Sequence, residues 1–141
     1  MKTPDGELIT DALLCERFPL LFMDRHVSMQ ATAMCWGFEI GPGWMGIMYD
    51  TAARLELLIL DAITEDDDAW RLGYFRASQV KEKYGTLRFY LSGGTNEMYS
   101  IVDAAEKQSA KTCETCGKPG KVRGEGWYYT ACGPCAKKRS R

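Results

Sequence analysis

A single histidine, His26, serves the whole 141-residue chain. Chemistry that needs two imidazoles on one helix, as in an H-E-x-x-H metal site, is therefore closed to it. Any histidine acid–base role must pass through that one residue, which beside Asp24 and Arg25 reads as a surface or cap position. No G-x-S-x-G elbow and no P-loop occurs, and the glycines do not form a phosphate-binding pattern. Long apolar runs are missing too, none approaching the ~20 residues that a membrane span needs. Met1 to Asp11 is polar and partly acidic, without the hydrophobic stretch of a secretory signal. The expectation is a soluble protein of a reducing cytoplasm with no membrane partner.

What the chain does have is cysteine, six in all, and four of them fall in the order C-x2-C-x15-C-x2-C at Cys113, Cys116, Cys132 and Cys135. This is the spacing of a four-thiolate zinc site. Each C-x2-C pair wraps two sulfurs around one tetrahedral ion, and the intervening residues suffice for a hairpin that folds the second pair back. Four protein sulfurs leave no open position for water or substrate, so a structural Zn2+, one per chain, is expected. It would replace the core that about 30 residues cannot build alone. A catalytic metal and a disulfide pair are the remaining readings of the quartet. Cys15 and Cys35, in apolar surroundings, read as reduced core residues.

Net charge is only -1, but this is a cancellation. Residues 1–110 carry 10 Lys and Arg against 17 Asp and Glu, or -7, whereas residues 111–141 carry 8 against 2, or +6. Two units are expected: an α+β body over 1–110 and a rigidly attached zinc-binding lobe over 111–141. An ion with four thiolates lowers the charge of the lobe to about +4, which weakens a nucleic-acid argument made from charge alone.

In order along the chain, Glu7 to Phe18 reads as a short amphipathic helix, with Leu8, Ala12, Leu14, Cys15 and Phe18 inward and Pro19 ending it. Residues 33–46, A-M-C-W-G-F-E-I-G-P-G-W-M-G, read as a tight loop turning at Gly41-Pro42-Gly43. Glu39 is either a surface residue of a short strand, with Trp36 and Phe38 inward, or the polar group of a small cleft. Trp44 or Met45 opens the longest helix, which runs to about Thr64 with Ile47, Met48, Ala52, Leu55, Leu58, Ile59, Ala62 and Ile63 inward. Asp50 and Arg54 make an i,i+4 pair on its other side. The acids 65–68 follow as a solvated loop.

From Tyr74 to Ser92 the period becomes two, with Ala77 to Lys83 and Thr86 to Leu91 on either side of Tyr84-Gly85. A two-residue turn at Tyr84-Gly85 pairs Val80 with Phe89 and Glu82 with Leu87. The opposite face then carries Gln79, Lys81, Lys83, Arg88 and Tyr90, with Lys81 directly across from Arg88. That juxtaposition calls for a nearby anion, an intramolecular acid before a ligand phosphate or acidic partner. Thr95 or Asn96 caps a further helix to about Lys111, with Met98, Ile101, Val102 and Ala105 inward. In the lobe, Gly124 to Gly126 turns into a strand at Trp127 to Thr130. Cys132 to Cys135 opens a short helix of treble-clef or zinc-ribbon type, and Lys137 to Arg141 fray. The fold expected is α+β, a small antiparallel sheet with two or three helices plus the zinc lobe.

The segments A-M-C-W-G-F-E-I-G-P-G-W at 33–44, Q-V-K-E-K-Y-G-T-L-R-F-Y at 79–90 and C-E-T-C-G at 113–117 resemble a widespread family of small tailed-phage and prophage proteins. The similarity runs from about Arg17 to Cys135. It implies a phage accessory setting and carries no functional residues with it. Ile40 stands where such proteins often have cysteine, so redox or metal chemistry at that position is not expected here.

Three functions remain. The first is an interaction protein that binds and modulates a host protein, by analogy one of the host's antiviral defences. The second is zinc-dependent nucleic-acid binding through Lys118, Lys121, Arg123, Lys137, Lys138 and Arg139, extended by Lys81, Lys83, Arg88 and Tyr90. Trp127, Tyr128 and Tyr129 would be its stacking faces. The third is a small hydrolase using Asp24, His26, Glu39 or Asp50, without any recognised catalytic pattern.

Overall fold

Thr10 sets where the first helix begins. Its hydroxyl accepts the N–H of Leu13 at 3.1 Å, so α1 spans Asp11–Arg17, later than the start expected at Glu7. Residues 1–9 instead fold back on themselves. Thr3 N–H donates to Glu7 at 2.8 Å, Ile9 N–H donates to Met1 at 3.0 Å, and Gly6 takes a positive φ between them. Leu8 is thereby turned outward and Ile9 takes the core position. This is a computed structural model, and it describes residues 1–26, 37–65 and 75–139. Cys35, Trp36 and most of the acid run 65–68 lie outside the described residues, as do the last two residues of the expected fray.

After a short 3-10 turn at Met23–His26, β1 is Phe38–Glu39 and a second 3-10 turn, Pro42–Trp44, leads straight into α2, Met45–Glu65. Next come β2, Ala77–Lys83, β3, Thr86–Leu91, and α3, Asn96–Ser109. The C-terminal lobe holds β4, Lys121–Arg123, β5, Tyr129–Ala131, and α4, Gly133–Arg139. The fold is α+β, as the alternation of periods predicts. The body sheet is nevertheless mixed rather than antiparallel, in the order β1-β2-β3 with β1 parallel to β2. The connection explains this, because a crossover that contains a helix, here α2, returns the chain in the same direction.

The expected hairpin register is the observed one. Val80 faces Phe89, Lys81 faces Arg88 and Glu82 faces Leu87. Tyr84 and Gly85 both have positive φ, 54° and 84°, as a mirror-image two-residue turn requires. Val80, Leu87 and Phe89 meet Phe38, the stripe Ile47, Met48, Ala52, Leu55 and Ile59 of α2, and Met98, Val102 and Ala105 of α3. Leu14, Phe18, Leu21 and Phe22 close the same core. Thr95 caps α3 through Met98 N–H at 3.2 Å.

One buried acid escapes the periodicity reading. Glu56 sits within the α2 stripe, one turn after Ala52, and is 7% exposed. Its two carboxylate oxygens accept Leu20 N–H at 3.0 Å and Leu21 N–H at 2.9 Å, backbone donors that the chain after α1 would otherwise leave unmet. Burial pushes its carboxyl up from the ordinary value, and the two N–H groups pull it back. The sequence signal was a lone acid on an apolar stripe.

Candidate metal centre and the surface it carries

The four-cysteine lobe has treble-clef order: a knuckle at 113–117, the β4-β5 hairpin, and α4. Cys113 and Cys132 are buried, Cys135 is half-buried and Cys116 is exposed. All four are free thiols, which removes the disulfide reading. Their sulfurs lie within 4.8 Å of one another, with Cys116 and Cys132 at 3.6 Å. Metal–sulfur bonds of about 2.3 Å in a tetrahedron separate ligands by about 3.8 Å, so the quartet fits one four-coordinate, sulfur-bound ion.

Local backbone geometry makes that arrangement. Gly117 N–H donates to Cys113 at 2.9 Å and has a φ of 80°, which turns the knuckle back on itself. On the second pair, Ala136 N–H donates to Cys132 at 3.0 Å, which places Cys135 in the first turn of α4. Burial alone would raise the Cys113 thiol, but N–H groups of Cys132, Cys116 and Thr115 outweigh it and hold it at about 6. Cys135 is pushed up to about 12, first by its hydrogen bond to Cys132, then by burial and the other two sulfurs. A bound metal would stabilise all four sulfurs as thiolates.

The lobe is joined to the body at two places. At the first, Gly41-Pro42-Gly43 lies directly on the knuckle. Gly43 N–H donates to Glu114 O at 2.6 Å, Gly41 N–H donates to the Glu114 carboxylate at 2.9 Å, and Trp44 Nε1 donates to Thr112 O at 2.7 Å. A β-carbon on Gly43 would overlap the carbonyl oxygens of Cys113 and Glu114. The glycine at 43 is thus demanded by the close approach of two backbones as much as by the turn. At the second place the buried Thr130 hydroxyl donates to Gly85 O, and Gly85 packs on the backbone of Tyr128 and Tyr129.

That second contact makes a feature the sequence did not assemble. It sets the body turn at Tyr84-Gly85 against the loop between β4 and β5, and the two turns form one tip. Trp127 is 78% exposed there, Tyr84 65% and Tyr128 43%. Together with Glu82, Lys83 and Gly126 they line a cleft of about 300 Å³. Tyr84 is the only residue other than glycine with a positive φ among the described residues. A side chain in that conformation costs about 1 kcal/mol or more relative to glycine, and an exposed ring recovers none of it by burial. Of the three aromatics expected to offer stacking faces, Tyr129 is the one that packs on the cysteine cluster, while Trp127 and Tyr128 face solvent.

The candidate basic residues do not converge on one surface. Arg88 pairs with Glu106 of α3 at 2.9 Å, so the anion required opposite Lys81 is intramolecular. Register also sets Glu39 beside Lys81 on the other side. Lys83 Nζ lies 5.5 Å from the Tyr84 ring centroid, and Tyr90 is exposed on the outer sheet face. In the lobe, Arg123 Nε donates to Ala131 O at 2.9 Å and Arg139 stacks on Tyr129 at 4.2 Å. Lys118, Lys121, Lys137 and Lys138 are exposed, and Lys138 and Arg139 border a cleft of about 410 Å³ beside the cysteines. Residues 137–139 are helical rather than frayed.

The residues considered for hydrolysis lie on three elements, Asp24 and His26 on the first 3-10 turn, Glu39 on β1 and Asp50 on α2. Asp24 is 8% exposed and pairs with Arg76 Nε at 2.8 Å. Glu39 is exposed on β1, beside buried Phe38, and Asp50 is exposed on α2. His26 ends the first 3-10 turn. No described helix is long and apolar enough to cross a membrane. No family model, curated protein or solved structure matches the chain.

Proposed function

We propose that this chain is a binding protein that engages a partner protein through the tip formed by Tyr84, Trp127 and Tyr128. The observation that carries the reading is the exposure of three large aromatic rings on two turns that meet at Gly85, whose carbonyl accepts the buried Thr130 hydroxyl and whose N–H donates to Glu82. Aromatic side chains on a fixed support are the residue types enriched in protein-binding hot spots. The ion of the four-cysteine lobe is zinc in this account, one per chain and structural, because four thiolates close its coordination. Its task is to hold the β4-β5 loop where it meets the body turn. In the phage setting that the sequence resemblance implies, the partner is a protein of the host cytoplasm, and a component of an antiviral defence is the natural target.

Nucleic-acid binding is the second reading, favoured by the exposed lysines of the lobe. Internal use of Arg88, Arg123 and Arg139 weakens it, since phosphate binding draws its affinity from cations free to displace counterions. Affinity capture from host lysate separates the two. A protein retained after nuclease treatment, and lost with Trp127→Ala, is the expected result. Recovery that disappears with nuclease would move the function to nucleic acid. Elemental analysis of freshly purified, untagged protein tests the metal, with about one zinc per chain expected.

A further inference from the structure

We infer that the outer face of α2 is the contact of a symmetric antiparallel dimer, in which a second copy of this chain packs its own α2 against Leu57. This goes beyond the aromatic tip and is independent of it, since none of the tip residues lies on this helix. One side of α2 buries the stripe that meets the core, and on the other Leu57 is 63% exposed and Leu60 47%. Single exposed leucines are ordinary on a protein surface. Here, however, two stand one turn apart, with exposed Arg54 and Asp61 beside them. None of Asp50, Arg54 and Asp61 enters an ion pair among the described residues, so the i,i+4 pair expected of Asp50 and Arg54 does not form.

The pattern on this face is complementary to itself. Each residue of an α-helix advances about 1.5 Å and turns about 100°. Measured from Leu57, Arg54 lies about 4.5 Å toward the N-terminus and about 60° to one side, and Asp61 lies about 6 Å toward the C-terminus and about 40° to the same side. On the other side Ala53 lies about 6 Å before Leu57 and Leu60 about 4.5 Å after it. A twofold axis that reverses the helix direction inverts height and keeps side. It sets Leu57 on Leu57, each Arg54 against Asp61 of the second copy, and each Leu60 against Ala53 of the second copy. Both of these pairs then occur twice around the central leucines, as an isologous contact requires.

Charge selects this orientation over the alternative. A parallel pair exchanges the two sides at equal height, which puts Arg54 against Ala53 and Asp61 against Leu60 and leaves every charge facing an apolar group. The antiparallel pair gives each charge an opposite one at the rim of an apolar centre, the arrangement that fixes register in protein contacts. Ala53 is half-buried and small, so the leucine of the second copy meets a low point of the helix surface. Five residues from each copy are far fewer than the roughly 20–30 of a standard interface, so the dimer is weak and reversible.

The test is sedimentation velocity of the full metal-loaded chain over about 1 μM to about 1 mM. Expected are a monomer at the low end and a dimer at the high end. Arg54→Asp and Asp61→Arg should each weaken association about tenfold or more, because like charges then stand opposite each other. Combining the two reverses both pairs, keeps the net charge of the parent and should restore the dimer. Leu57→Lys should abolish it. All three positions are exposed, so each variant should unfold at the urea concentration of the parent, and a lost dimer is not a lost fold. A monomer throughout the range, a dimer indifferent to the single charge reversals, or no recovery in the double variant overturns the inference. If the chain stays monomeric while capture of a host protein is lost with Leu57→Lys, the face belongs to a different partner and the dimer is wrong.

Discussion

Arg17 fastens the N-terminal fold-back to α1 and α2. Its guanidinium meets Asp5 at 3.0 Å, Glu7 at 2.8 Å and the Tyr49 hydroxyl at 2.9 Å. The hydrogen bond from Arg17, helped by that from Thr3, lowers the Asp5 carboxyl to about 2. Because the folded value lies below the ordinary one, the contribution of this pair is complete above about pH 4 and is lost as pH falls through about 2. Carbon-detected titration of Asp5 should find that low midpoint, and Arg17→Ala should raise it toward the ordinary carboxylate value, short of it by what the Thr3 hydrogen bond retains. A parent midpoint near 4 would show that the pair does not form. Glu56 makes a different kind of prediction. An amide presents one oxygen where the carboxylate presents two, so Glu56→Gln leaves Leu20 or Leu21 N–H facing another donor. A loss of about 1–3 kcal/mol in urea unfolding is expected. The sequence revealed the cysteine quartet because its chemistry depends on spacing within one short stretch. It did not reveal Glu56 as a clamp, because the N–H groups that it serves lie more than thirty positions earlier in the chain.

Among the elements, the β2-β3 hairpin was legible to the residue, since Tyr84-Gly85 fixes both turn type and register, and register fixes which face is buried. The parallel placement of β1 was not, because two residues carry no periodicity and their partner lies beyond α2. The start of α1 was misplaced for a related reason: the stripe through Leu8 is consistent with helix, but the Thr10 cap and the turn at Gly6 decide the boundary. Gly41-Pro42-Gly43 was legible as a turn, whereas its role as the seat of the knuckle required the fold. Gly43→Ala should therefore cost about 1–3 kcal/mol through backbone overlap, even though alanine suits the conformation of that position. Thr130→Val should cost a similar amount, about 1–3 kcal/mol, by leaving Gly85 O buried without a donor. Its distinguishing result is local: faster amide exchange at the Tyr84-Gly85 turn, with α2 unaffected. Unchanged exchange there would mean that the two turns are not coupled through this hydroxyl.

At the scale of the whole molecule, the body has a core of its own, with α2 and α3 packed on the mixed sheet. The lobe buries little beyond Cys113, Ala131, Cys132 and Ala136. In the proposed account its order comes from a metal held by the four cysteines and from the two seams at Gly43 and Gly85. The aromatic tip proposed to bind a partner would be the product of that dependence, since one of its walls belongs to the body and the other to the four-cysteine lobe. Amide hydrogen exchange of the intact chain, metal-loaded and after treatment with a strong chelator, tests this most directly. Chelation should remove protection from residues 113–139 and from Gly43 and Gly85, while the centres of α2, α3 and β2 keep theirs. Protection unchanged across the lobe after complete metal removal would contradict the account, because the tip would then owe nothing to the four cysteines.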